Sequence, residues 1–371
     1  APPAEPDAAA ARAEVGPAFD RGRPCGGPIV ATVLVDFHHA RGPVVEWAHP
    51  QGVFDPTEGS PKSLGIFPLL DCWSTPAPAA ELEARLPETL PLVVSFALPD
   101  AAHLSRSDET SSVFFVLPCA GELLFGVSCH RRVDSEELVH RDESVSRSAV
   151  QKSVCVLSRC PFFGLVQQRL SPVVHAFFEQ KDFRCTALLG GFHAQLDAVP
   201  FERLSEGDLL HGLDHTPLLR SLRHRLLGLL KAVLLEAKVL VYAPSPEACS
   251  RAVLGLLSLL PGGLWLGFNS DGLGSRHYHF RKHGLPLQCF GPRCCVYPYL
   301  GLQMLDSLLQ MRGFLVGTTN RMIIERTAPD VILEVPASGL DGCSVQYCNS
   351  ELQRLVRHTG QERAWQQASA A

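Results

Sequence analysis

TPLLRSLRHRLLGLLKAVLLEAKVLVYAPSPEACSRAVLGLLSLLP, residues 216–261, decides the architecture of this chain. It reads as helix, strand and helix with little slack between them. Thr216 is placed to cap the first helix, and Pro217 suits its first turn, where a missing N–H costs nothing. Leu219, Leu222, Leu226, Leu229, Leu230, Val233 and Ala237 recur at three- and four-residue steps, which predicts one core-facing stripe. Arg220, Arg223, Arg225 and Lys231 fall outside the stripe and can stay in water. Val239-Leu240-Val241-Tyr242 is short, β-branched and uninterrupted, as expected of a strand covered on both faces. Ser245-Pro246-Glu247 restarts a helix with an acid near its positive end, and Pro261-Gly262-Gly263 stops it. The stretch predicts the centre of an α/β layer.

On the N-terminal side, Ile29 to Phe37 reads as a β-branched strand. His38-His39-Ala40-Arg41-Gly42 makes a polar turn, and Pro43 to Trp47 returns as a second strand. Residues 50–90 form a Pro-, Glu- and Ser-rich connection, with a possible helix over Ala79 to Leu86. Strands are predicted over Leu92 to Leu98, Val113 to Leu117, Leu123 to Ser128 and Val154 to Leu157, the middle two joined as an antiparallel hairpin. Pro161 opens an amphipathic helix ending near Glu179. This half is therefore an antiparallel sheet followed by helices, an α+β lobe. Gly190 to His215 reads as a polar connector with one short helix around Leu204 to Leu210. Beyond the central stretch come an irregular loop over 262–288, a strand at Cys294 to Tyr299, a helix at Leu302 to Met311, strands at Gly313 to Gly317 and Val331 to Val335, and a last short helix at Glu351 to Arg357.

The 371 residues are 46% hydrophobic and 19% charged, with a formal net charge of -5, enough for a large core in two or three lobes. The acidic balance gives no general nucleic-acid footprint. Thirteen Cys lie scattered without a CxxC pair, which suits buried reduced thiols in a cytosolic protein. Residues 1–27 form an Ala/Pro-rich lead-in that reads as disordered and carries no apolar signal-peptide core. Val253 to Phe268 lacks charge but is too short and too broken to span a membrane, so membrane contact is expected to be peripheral, with no transmembrane segment.

No GxxxxGKS loop, strand-borne GxGxxG, GxSxG elbow or HExxH motif occurs. Neither cofactor nor catalytic residue is expected. Asp36 and Glu46 face each other across a hairpin, and two such acids are read as solvated rather than catalytic. In Arg276-His277-Tyr278-His279-Phe280-Arg281-Lys282-His283, alternate histidines share a face if the segment is extended, but no zinc spacing results. A basic solvated loop, or one that meets an acidic partner or anionic headgroup, is the preferred reading, with no metal. Vicinal Cys294 and Cys295 are expected to point one into the core and one away. His38 and His39 read as polar turn residues, or as part of a docking surface at the sheet end; Arg131-Arg132 carries the same ambiguity.

Several phrases, in this order, resemble the DENN (uDENN–cDENN–dDENN) family, and within it the Avl-nine type of the late secretory pathway. They are VDFHHARGPVVEWAHP, SFALPDAAH, VFFVLP, LFGVSCHRRV, VQKSVCVLSRCPFFGLVQQRLSPVVHAFFEQKDF, LRHRLLGLLKAVLLEAKVLVYAPS, VYPYLGLQMLD and RGFLVGTTN, over about residues 29–335. The resemblance implies an α/β fold with a longin-like α+β lobe over 28–185, a three-layer α/β cDENN lobe over 186–335, and a short or truncated dDENN-like tail over 336–371. It implies a Rab-type small GTPase as partner, held between the lobes, with exchange of GDP for GTP as the activity. A trafficking adaptor that keeps the fold without exchange is the alternative. It further implies a cytoplasmic protein recruited peripherally to Golgi, recycling endosome or secretory vesicle membranes. His38, His39, Arg41, Arg131 and Arg132 are the candidate Rab contacts, on the expectation that they line one rim of the sheet. The helix face bearing Arg220 and Arg223 is the second place to look. Relatives of this type often carry a long insert before the strand at Cys294, whereas residues 262–288 here are compact.

Overall fold

The computed structural model describes residues 28–38, 41–55, 82, 84–99, 109–119, 122–140, 148–200, 206–260, 263–266, 290 and 293–357. The chain first runs through β1 (Ile29–His38), β2 (Gly42–His49), α1 (Leu90–Ala97), β3 (Ser111–Cys119), β4 (Glu122–Asp134), β5 (Ala149–Ser158), α2 (Phe163–Glu179) and α3 (Ala187–Asp197). A single turn at Glu206–Leu209 leads into α4 (Thr216–Leu222), α5 (Arg225–Leu234), β6 (Lys238–Tyr242) and α6 (Pro246–Ser258). Then follow β7 (Cys294–Tyr297), α7 (Leu305–Leu309), β8 (Gly313–Thr318), α8 (Arg321–Thr327), β9 (Val331–Glu334), β10 (Ser344–Tyr347) and α9 (Ser350–Leu355).

The strands form two five-stranded sheets. The first has the order β2-β1-β5-β4-β3 and is antiparallel throughout. α1 lies on one face, where Phe96 meets Phe115 at 5.4 Å and Ser128 Oγ donates to the Ala97 carbonyl. Gly126 is required there, because a Cβ would sit 2.1 Å from the Phe115 ring. α2 covers the other face, with Phe163 edge-on to both Phe114 and Phe125. The second sheet has the order β10-β9-β6-β8-β7, with β6 parallel to β8 and β9, and β10 antiparallel on its edge. Val239, Leu240 and Val241 are completely buried, so β6 is covered on both faces as its composition predicts. The fold is therefore α/β, an antiparallel α+β lobe joined to a mostly parallel α/β lobe.

Five local expectations are corrected. Leu92 to Leu98 is not a strand but the body of α1, whose Pro91 sits in its first turn. Its run of apolar residues fits a buried strand or a buried helix equally, and contact with four strands selects the helix. Gly190 lies inside α3, not in a connector; Leu189, Phe192 and Leu196 bury one face of that helix against β1 and α2. The stripe from Leu219 to Ala237 is divided between α4 and α5 by Arg223, which takes φ 44. Thr216 does not cap α4; its own N–H donates to the Asp214 carboxylate at 2.9 Å. Cys294 and Cys295 are both buried, since the sheet has no open face there. The predicted Ser245 cap holds, accepting from the Ala248 N–H.

α6 joins the lobes. Ten of its thirteen residues are buried, because it packs on β6 and β8 of its own sheet and on β3 of the other. A helix this apolar on all sides needs cover on all sides. Val241→Asp would place an unpaired charge in the centre of the second lobe, at a cost of about 4 kcal/mol or more. Loss of the cooperative melting transition is expected; a soluble, normally melting variant would show that β6 is not the core strand.

Candidate functional site

The structure places His38, Arg41, Arg131 and Arg132 near one end of the first sheet. The register sets Asp36 beside Lys152, and Lys152 beside Arg131, so the end of β1, the start of β5 and the end of β4 lie together. The turn joining β1 to β2 stands at that same end, where the Arg41 N–H reaches His38 Nδ1 at 3.3 Å. Arg41 is exposed. His39 and the 276–283 cluster lie outside the described residues.

The pairing between β1 and β2 slips between Leu34 and Val35, leaving Glu46 as an extra residue in a bulge. A bulge re-aims its side chain. Here it turns Glu46 onto Lys152, whose Nζ lies 2.5 Å from Glu46 and 2.9 Å from Asp36. The two acids keep solvent contact, Glu46 the more, and both also pair with a buried cation. Lys152 also stands over the Phe183 ring at 5.3 Å. Arg131 shares this face and donates to Glu179 at 3.0 Å, at the end of α2. Lys181 pairs with Glu137 next to it, and Asp182 with Arg184 and His140. The hydrogen bonds from Arg184 hold the partly exposed Asp182 carboxyl below its ordinary range. Arg132 follows Arg131 in a strand and so faces the other side. Arg131 is thus committed within the fold, Arg41 is exposed, and Arg132 is half-buried on the opposite face.

Lys152 and Glu179 were invisible as site residues in sequence, although a lysine inside VQKSVCVL is a signal for a buried partner. The seam between the lobes was missed too. Glu247 accepts from the Ser112 N–H at 2.9 Å and from the Ser111 hydroxyl at 3.3 Å. Arg251 donates to Glu247 and to Gln167, and Gln167 donates to Ser112 Oγ at 3.0 Å. On the α1 side, Gln303 donates to Ser95 and Tyr299 meets Phe96 edge-on.

The groups with large pKa shifts are core groups. Burial pushes the Cys129 thiol up to about 12 and raises Cys155 and Cys249 further, while it lowers His130 to about 4. Desolvation, not a catalytic partner, dominates each shift. Among the described residues no group of three or more His, Cys, Asp or Glu could hold a metal ion, and no helix is long and apolar enough to cross a membrane.

The geometry is that of two lobes, one antiparallel α+β and one mostly parallel α/β, locked by a polar seam, with the strongly shifted side chains sunk in the core. The family model for transport protein Avl9 matches residues 29–272 and 266–369, and the chain belongs to that family. It is 28% identical over 383 residues to the late secretory pathway protein AVL9 of Saccharomyces cerevisiae, covering 91% of this chain and 45% of that one. It is 26% identical over 362 residues to the late secretory pathway protein avl9 of Schizosaccharomyces pombe, covering 91% of this chain and 68% of that one. The chain thus spans under half the length of the budding-yeast relative.

Two outcomes follow from these contacts. Lys152→Met leaves Asp36 and Glu46 close together without their cation and should cost about 1–2 kcal/mol, since both acids are partly exposed and water relieves much of the lost pairing. Adding Asp36→Asn should restore ~1 kcal/mol or more; additive denaturation midpoints would show that the pair is not coupled. For His130, the folded pKa lies below the unfolded value, so the folded state resists protonation. Stability should be full above about pH 6.5 and fall as pH drops towards 4, by a few kcal/mol in total. His130→Leu should flatten that part of the pH profile in urea titrations; an unchanged slope would assign it to other groups.

Proposed function

We propose that this chain is a DENN-type trafficking protein of the late secretory pathway that binds a Rab-type small GTPase and promotes exchange of GDP for GTP. Its lobes then correspond to a longin-like unit and a cDENN unit, and peripheral recruitment brings it to Golgi, recycling endosome or secretory vesicle membranes. The observation that carries this reading is the fixed seam. Glu247, Arg251 and Gln167 hold β3 against α6, so the two lobes present one composite surface of constant geometry. Such a surface suits an exchange factor, which breaks no covalent bond. It binds the nucleotide-free GTPase most tightly and so shifts the population toward nucleotide release. Family membership and the names of the yeast relatives support the pathway.

The competing reading is an adaptor that holds a GTPase without opening it. A nucleotide-release screen over a panel of Rab proteins loaded with fluorescent GDP separates the two. Accelerated release from a small subset is expected; tight binding without acceleration would select the adaptor, and no binding at all would remove the GTPase. Arg41→Glu should slow association several-fold at low salt, because exposed charges act mainly through steering. Arg131→Glu is the wrong probe, since losing the Glu179 contact would lower Tm by itself.

A further inference from the structure

We propose that the break between α4 and α5, together with the outward face of α5, is a contact surface for an anionic lipid bilayer. The inference rests on the reading of the chain as a peripherally recruited trafficking protein, and it names the surface that recruitment would use. A chain with a net charge of -5 concentrates Arg220, Arg223, His224 and Arg225 within six residues, and all four are exposed. Arg223 is held at φ 44 and ψ -121, a conformation that non-glycine residues rarely adopt and that splits one apolar stripe into two helices. Its Nε donates to the Arg220 carbonyl, and Arg225 donates to the Cys343 carbonyl, so these contacts consume no carboxylate. Among the described residues no ion pair engages Arg220, Arg223 or Arg225. The acids in the vicinity are Asp214, which feels the Arg220 charge, and Asp341, near Cys343.

α5 supplies the apolar half. Gly228, Leu229, Ala232 and Val233 are its buried side. Leu227 and Leu234 lie two turns apart on the side away from it, with Lys231 beside them, while Leu230 between them still packs against the core. Leu227 and Leu230 are half-buried, Leu234 is 41% exposed, and Leu235 just past the helix is 54% exposed. A helix with leucines facing water and basic side chains gathered at one end fits the membrane interface, where apolar groups enter the acyl boundary and cations meet anionic headgroups. A flat acidic protein surface would satisfy the arginines but leave the leucines wet, so the bilayer is the better match.

Co-sedimentation of the whole chain with vesicles tests this, without GTPase or nucleotide. Binding is expected to vesicles of phosphatidylcholine with phosphatidylserine, and not to phosphatidylcholine alone. Arg220→Glu with Arg223→Glu should weaken partitioning roughly 30-fold, the attraction of two arginines to an anionic leaflet. Leu234→Gln with Leu235→Gln should weaken it about tenfold, with little dependence on salt. If the arginine pair fails to fold, Arg220→Glu alone should still lower partitioning about fivefold. Failure of the wild type to sediment with anionic vesicles would overturn the proposal, as would unchanged partitioning of the folded arginine variants. Retained vesicle binding with loss of small-GTPase binding would make this face a protein-docking surface instead. Because the release screen runs without vesicles, either result leaves the exchange reading to its own test.

Discussion

β3 ends the first sheet, and its outer edge needs hydrogen-bond partners. An uncovered edge strand this apolar would invite pairing with another chain. Helix α6 supplies the cover from the other lobe: Glu247 takes the Ser112 N–H, and Ser250 Oγ takes the Phe114 N–H. The same helix fills the space over β6 and β8. One element therefore completes two cores, and neither lobe is closed without it. Arg251 reinforces the arrangement, bonded to Glu247 and Gln167 and lying over the Phe114 ring at 5.5 Å.

The end of the first sheet depends on a second constraint of the same kind. Lys152 is buried, and a buried ammonium group needs partners of opposite charge. A one-residue bulge in β2 brings Glu46 to it, and strand register brings Asp36. Arg131 and Glu179 tie the end of β4 to the end of α2 close by. Charged residues that look alike in sequence are thereby divided into those that hold the sheet end together and those left exposed, such as Arg41.

Among the described residues, the groups whose titration is most strongly shifted do not form a cluster at the surface. The strongly shifted thiols and the shifted His130 lie in the packed interior and owe their shifts to desolvation. What the lobes offer instead is a fixed relation between loops at the sheet end, a seam between two cores, and a basic, leucine-faced helix pair. The surfaces differ in chemistry and lie on different elements of the fold.

The sequence by itself determined the elements whose pattern admits one reading. The β-branched run at Val239 to Tyr242, the Ser245-Pro246 helix start, the paired strands of the first sheet and the long helix after Pro161 all follow from local periodicity and capping, which depend on neighbours in the chain. Tertiary structure alone decided the others. Leu90–Ala97 is apolar at nearly every position, so its period is silent and only packing across four strands makes it a helix. The helical stripe from Leu219 to Ala237 continues through Arg223, yet the backbone turns there. Asp36, Glu46 and Lys152 lie as much as 116 residues apart in number, and Ser112 and Glu247 lie 135 apart. Their meeting depends on strand order, register and a bulge, and a charge becomes a structural partner or a free contact only when those long-range choices have been made.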